Sequence, residues 1–260
     1  MSNITLIVAT HKEAPMPQGK IYLPLWVGSQ ISKADLQYTR DDSGDNISGK
    51  NPMYCELTGL YWAWKNLNSD YIGLVHYRRL FMGASKEAIT ESEIETILKG
   101  YKLIVPKKRR YYIESLESHY IHTHADEEMN ALRKVVADKY PNYLASYDKA
   151  MKRTWGYMFN MFVLPKDLLD EYCTWMFDIV DEVVSQVGTG SRSDFEKRYP
   201  GRLSELLLNC WLEYKLSSNE LKKEDIAEVP LLNLGDEKMF KKGVAFLKAK
   251  FFGKKQEGSF

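Results

Sequence analysis

A histidine and two arginines follow directly on an apolar run in Asp70-Tyr-Ile-Gly-Leu-Val-His-Tyr-Arg-Arg-Leu-Phe81. Tyr71, Ile72, Leu74 and Val75 carry the β-branched and aromatic bulk of a buried strand. No turn residue separates them from His76, Tyr77, Arg78 and Arg79. Cations at the carboxyl end of a core strand are costly unless an anion faces them, and open α/β sheets bind ligands at that end. Guanidinium forks match the oxygens of a phosphate or diphosphate. The alternative is that the arginines pair with acids of the next helix.

Four other groups of residues are candidates for chemistry. Asp41, Asp42 and Asp45 lie in a polar loop, but their spacing is not the Asp-x-Asp that would hold a divalent cation on a diphosphate. Gly44 and Gly49 permit close approach there, so Asn46, Ile47 and Ser48 are expected to meet a ligand through backbone groups. His119, His122, His124 and Asp126 invite a metal reading. On a helix His124 leaves the face that His119 and His122 share, and HExxH is absent, so one histidine acting on a proton or a phosphate is favoured. Glu56, near a helix start, and Glu205, in Gly201-Arg-Leu-Ser-Glu205, are candidate bases for deprotonating an acceptor hydroxyl. A solvated surface carboxylate is the plain alternative for both. Finally, Phe240, Val244, Leu247, Phe251 and Phe252 interleave with Lys241, Lys242, Lys248, Lys250, Lys254 and Lys255, the pattern of an interfacial helix on anionic lipid.

The elements that must hold these groups read as an α/β fold. Ile4 to Ala9 is a strand ending in Thr10-His11, and 13–50 reads as a long irregular loop. Asn51-Pro52 launches a helix to about Asn66, with Tyr54, Leu57, Leu60, Tyr61 and Trp64 at helical spacing. The strand at 70–77 then makes a parallel unit with the first. A helix capped by Thr90 or Ser92 runs to Leu98, Leu103–Pro106 is a strand, and 115–147 reads as helical. A strand at 156–164, a long helix from Pro165 to about Val184, a polar connector at 185–200, a helix at 203–216 and a strand at 229–234 complete the pattern. Of 260 residues, 36 are basic and 35 acidic; that balance argues against nucleic acid as a partner of the whole surface. Seventeen Tyr and six Trp suit sugar and base stacking. Cys55, Cys173 and Cys210 have no CxxC spacing, and free thiols point to a reducing cytoplasm. The residues after Met1 run straight into a strand, with no signal peptide, and no apolar run is long enough to span a bilayer.

The blocks Asn51-Pro-Met-Tyr-Cys-Glu-Leu-Thr-Gly-Leu-Tyr-Trp-Ala-Trp-Lys-Asn66 and Asp70-Tyr-Ile-Gly-Leu-Val-His-Tyr-Arg-Arg79 resemble a bacterial family of capsular-polysaccharide and O-antigen gene clusters. That family was long catalogued as a domain of unknown function and has galactofuranosyltransferase members. The likeness extends to Asp45-Asn-Ile-Ser48, Tyr157-Met-Phe-Asn-Met-Phe-Val163 and Gly201-Arg-Leu-Ser-Glu205, where Leu206 stands in place of an expected basic residue. The resemblance implies a variant of the GT-A nucleotide-sugar fold: a sheet flanked by helices with a helical C-terminal part. Residues 1–235 would be the transferase domain and 236–260 a basic amphipathic tail on an anionic membrane.

The expected reaction is inverting transfer of galactofuranose from UDP-galactofuranose to a lipid-linked or growing polysaccharide at the inner face of the plasma membrane. No cofactor is expected beyond the UDP-sugar substrate, and a divalent metal is not favoured. Thr10, His11, Asp45, Asn46, Ile47 and Ser48 would line the nucleotide pocket, and His76, Arg78 and Arg79 would balance the departing diphosphate. Glu205 or Glu56 would be the base, and Tyr77, His122, Asn160 and Trp62 would contact sugar or acceptor. The alternatives are a metal-dependent hexopyranosyltransferase acting on UDP-galactose or UDP-glucose through Asp42 and Asp45, and a non-catalytic glycan- or nucleotide-binding scaffold.

Overall fold

In a computed structural model, residues 2–234 are described; the expected tail at 236–260 lies outside them. Strand β1 (Ile4–Thr10) is apolar almost throughout because both faces are covered. Its alternation divides two cores. Ile7 and Ala9 join a large cluster on one side, and Leu6 and Val8 a smaller one on the other. β1 lies between two parallel neighbours, β2 (Tyr22–Trp26) and β4 (Tyr71–His76). β3 (Thr39–Arg40) extends the parallel edge beyond β2. Both β2 and β3 fall inside the expected loop of 13–50. Pro24 hides the first, but it sits where β3 has not yet begun to pair, so its missing N–H costs no ladder bond on that side.

The chain then enters α1 (Asn51–Tyr54) and α2 (Leu57–Asn66). One continuous helix was expected over this stretch. The break is Cys55, at φ 52° and ψ −128°. The Asn51 amide donates to the Cys55 carbonyl at 2.7 Å, and Gly201 packs so close that an added Cβ would lie 3.3 Å from Cys55 Cβ. After β4, a tight reversal leads to β5 (Arg79–Phe81), antiparallel to it, so His76 and Arg79 are paired across the hairpin.

Helix α3 (Glu91–Leu98) has the expected Thr90 cap, reciprocated by Glu93, and β6 (Leu103–Pro106) follows. β7 (Arg109–Arg110) pairs with β8 (Trp155–Gly156) in a small ribbon at the side. The single helix expected at 115–147 is three: α4 (Leu116–Thr123), α5 (Asp126–Lys139) and α6 (Leu144–Met151). His124 is extended, Asp126, Glu127 and Glu128 supply a fresh acidic first turn, and Pro141 opens the last segment. The strand expected at 156–164 is interrupted too, because Phe159 and Asn160 have φ of 74° and 53°. Only β9 (Phe162–Pro165) joins the main sheet, antiparallel to β4 and β6.

Helix α7 (Lys166–Val187) lies on the large core, and α8 (Tyr199–Ser217), almost wholly buried, packs against it. α8 starts one turn earlier than its apolar pattern, with Pro200 in its first turn. The strand expected at 229–234 is found only as β11 (Leu231–Asn233), and Pro230 separates it from an unexpected strand, β10 (Ile226–Val229). The sheet runs β10-β6-β9-β4-β1-β2-β3, with β5 paired to β4 and β11 paired to β5. It is a mixed α/β architecture, mostly parallel around β1 and flanked by helices. No described helix is long and apolar enough to cross a membrane.

The parallel edge is tied down by Asp41, fully buried just after β3. Its carboxylate accepts from the backbone N–H of Gly28 (2.9 Å) and Ser29 (3.1 Å) and from the hydroxyls of Ser29 (3.0 Å) and Ser48 (2.5 Å). Asp41→Ala strands these donors and should lower stability by about 3 kcal/mol, read as a fall in the urea midpoint at unchanged m-value.

Candidate active site

The parallel strands β1, β2, β3 and β4 all point their carboxyl ends to one edge, so Thr10-His11, the loop after Arg40 and His76–Arg78 meet there. A cleft opens beside the end of β4. It is lined by His76, Arg78 and Arg79 from the β4–β5 hairpin, Arg109 and Tyr111 from the ribbon, and Cys55 and Glu56 from the α1–α2 break. Phe159, from the left-handed turn before β9, and Arg198, Arg202 and Glu205, from the start of α8, complete the wall.

The breaks in the expected elements hold these side chains. Glu205 accepts the Phe159 backbone N–H at 2.8 Å. The Asn160 amide donates to Glu56 Oε1 at 2.8 Å and to the Gly201 carbonyl at 3.1 Å, while Ser204 Oγ donates to Asn160 Oδ1 at 3.0 Å. These bonds fix Phe159 and Asn160 at positive φ, which costs on the order of 1 kcal/mol or more per residue. They also bind the α1–α2 break, the turn before β9 and α8 into one frame. Asn160 is almost fully buried. Its amide lies within this frame, so the structure places it behind Glu56 rather than on the cleft wall.

Burial pushes Glu205 up to about 7, and the negative charge of Glu56 adds to the rise. Burial acts oppositely on His76 and lowers its pKa, so its imidazole is neutral at pH 7. Its Nε2 donates to the Phe159 carbonyl at 2.6 Å, which sets the tautomer. The permanent positive charge at this strand end therefore comes from the guanidinium groups. Arg79 lies 4.3 Å from the centre of the Phe159 ring, and Arg109 lies 5.2 Å from that of Tyr111.

Arg109, Arg198 and Arg202 were not singled out from the sequence. Arg109 was hidden in the run Lys107–Arg110, which reads as a strand terminator. Arg202 stands within Gly201–Glu205, three residues before the more conspicuous Glu205. Leu206 does line the cleft, and the cations there come from Arg202 and Arg198, earlier in the chain. The only signal that separates Arg109 from Arg110 is strand alternation from Pro106.

Other expected site residues lie elsewhere. Thr10 is buried and closes a turn onto the Lys12 carbonyl at 2.6 Å. His11 and Tyr77 meet edge to face with ring centres 5.6 Å apart, close enough to Arg78 and Arg198 for His11 to feel both charges. These three residues adjoin the cleft without lining it. Asp45 accepts from Tyr61 OH at 3.2 Å, Asn46 bonds within its own turn, Ile47 packs on the large core and Ser48 is held by Asp41. Trp62 donates to Ser43 Oγ at 2.9 Å. This group shares the carboxyl edge with the cleft and contributes nothing to its wall. Asp42 pairs with Arg40 at 2.5 Å.

The histidines divide as well. His119 and His122 both direct Nδ1 at the buried Glu114, at 2.8 and 2.7 Å. His119 faces the cleft and His122 is more than half exposed outside it. His124 also lines the cleft; burial and then the Arg202 charge lower it to about 3. Among the described residues, no three His, Cys, Asp or Glu side chains are grouped to hold a metal ion.

The profile of DUF4422, described as a domain of unknown function, matches residues 5–216. A solved apo structure of WbbM, a bifunctional glycosyltransferase, superposes with a TM-score of 0.82 at 28% identity. The likeness covers 90% of this chain and 46% of that one, so the chain spans about half the length of WbbM. No curated protein matches at the sequence level.

Proposed function

Since the chain belongs to the DUF4422 family, we propose that it is a nucleotide-sugar-dependent glycosyltransferase whose reaction centre is the cleft at the end of β4. The observation that carries this reading is the pairing of opposite charges in one cleft: Arg78, Arg79 and Arg109 with Glu205 and Glu56. The likeness to a glycosyltransferase of known structure supports the reaction type.

In this proposal the diphosphate of a UDP-sugar lies against the arginines. The acceptor hydroxyl oxygen attacks the anomeric carbon from the face opposite the diphosphate. Glu205 takes the hydroxyl proton as that bond forms. The bond from the anomeric carbon to the β-phosphate oxygen breaks, and UDP departs with the electron pair. The guanidinium groups balance its growing charge, so the site does not depend on a metal to do so. Configuration at the anomeric carbon inverts. A base with a pKa near 7 is matched to proton transfer near neutral pH. Glu56, held by Asn160, keeps Glu205 raised and orients the sugar. Thr10, His11 and the Asp45–Ser48 turn reach the uridine end along the carboxyl edge. UDP-galactofuranose is the favoured donor and a lipid-linked oligosaccharide at the inner membrane face the acceptor.

Incubation with UDP-galactofuranose or UDP-galactose and a lipid-linked acceptor, with EDTA present, tests this. UDP release with an inverted linkage, read by NMR, is expected. No turnover of either donor under any metal condition would sink it. The turnover-limiting ionisation should follow Glu205, so kcat falls as pH drops through about 7; a profile flat from pH 6 to 8 would remove Glu205 from the role.

A further inference from the structure

Between β7 and α4 the chain makes a short projecting loop. Tyr112 is 82% exposed and Ile113 76%, the two most exposed large hydrophobic residues described. The loop is built to hold them out. Tyr112 has φ 61°, a conformation a tyrosine rarely adopts. The Tyr111 N–H donates to the Thr154 carbonyl at 2.8 Å, and the Ile113 N–H donates to the Tyr111 carbonyl at 2.7 Å. Glu114, directly after the tip, is buried and takes His119 and His122, anchoring the loop's far end. Exposed cations flank this tip: Arg110, two residues before Tyr112, and Lys152, just before Arg153, whose carbonyl accepts the Leu116 N–H on the far side of the loop. Arg109 and Tyr111 line the cleft, whereas Arg110 and Tyr112 are exposed outside it.

We propose that the Tyr112–Ile113 tip is a membrane-docking wedge that enters the interfacial region of an anionic bilayer, with Arg110 and Lys152 on the lipid phosphates. Tyrosine and isoleucine with a lysine and arginine collar match the two layers of such an interface, apolar acyl chain below and anionic headgroup above. The wedge follows directly on Tyr111 of the cleft wall, so docking brings the cleft mouth to the lipid surface, where the glycan of a lipid-linked acceptor emerges. The geometry of the wedge stands whether or not the transferase reading holds.

The test uses the full chain carrying I113C, labelled with an environment-sensitive dye, and vesicles of phosphatidylcholine with or without phosphatidylglycerol. Cys173 and Cys210 are buried, and the Cys55 thiol is pushed up to about 11, so position 113 labels selectively. The expected result is a blue shift with phosphatidylglycerol vesicles alone, reversed by salt, and quenching by nitroxide-bearing lipid. A Y112S/I113S chain should bind these vesicles at least about tenfold more weakly, as loss of two inserted apolar side chains implies, at an unchanged Tm. Three outcomes would overturn the proposal: vesicle binding without a dye shift, which assigns docking to the tail; no vesicle binding; or a shift that grows with protein concentration without lipid, which makes the tip a contact between copies.

Discussion

Replacing Glu205 by Gln should lower turnover by a factor of roughly 10²–10⁴, the usual worth of a positioned base, while leaving the fold intact. Gln keeps the carbonyl oxygen that accepts the Phe159 N–H, so the turn before β9 survives. The same change should make the protein more stable above neutral pH. Glu205 titrates near 7 in the folded state and at an ordinary carboxylate value when unfolded, so the folded state holds the extra proton between about pH 4.5 and 7. The group therefore favours folding at low pH, and that contribution is lost as pH rises through this window. Glu205→Gln removes the loss. Activity down with Tm up at pH 8 is the signature of a strained functional carboxylate. Activity and Tm falling together would mark Glu205 as part of the frame.

Arg79→Ala should cost a factor of roughly 10²–10³ in kcat, as removal of one preorganised donor to developing charge does. Arg79 sits opposite His76 across the β4–β5 hairpin, and His76 is neutral at pH 7, so no histidine charge takes its place. Arg79→Lys should recover only part of the rate, because an ammonium group cannot reproduce the bidentate fork. A fall in kcat/KM with kcat retained would limit Arg79 to ground-state binding.

The part of the fold legible in sequence was the part ruled by period and local chemistry. β1, β4, β6, α3 and α7 follow from apolar runs, a capping box and a proline at a helix start. The pieces that build the cleft were not legible, because tertiary contacts override local preference there. Nothing local marks Cys55 as a break inside Asn51–Asn66; the break needs Gly201 from α8 against it. Nothing local puts Phe159 and Asn160 at positive φ; Glu205 and the Gly201 carbonyl do so from across the molecule. The arginines of the β4–β5 hairpin were readable as charges directly after an apolar strand, and Glu205 as a carboxylate near a helix start that no cap explains. Arg109 and Arg198 were not, since their neighbours are charged as well. Asp45, Ser48 and Trp62 show the converse: two polar loop residues and a helical tryptophan whose hydrogen bonds hold the loop after β3 against α2 and Asp41.

The central claim is that the arginines at the end of β4 hold a nucleotide diphosphate. The direct test is calorimetric titration of UDP into the wild type and into Arg79→Ala, both with EDTA and both checked for unchanged Tm. The account predicts saturable binding by the wild type and affinity at least about tenfold weaker in the variant, as loss of a charge-assisted contact implies. Equal affinity in both proteins, or no binding by the wild type, would contradict it.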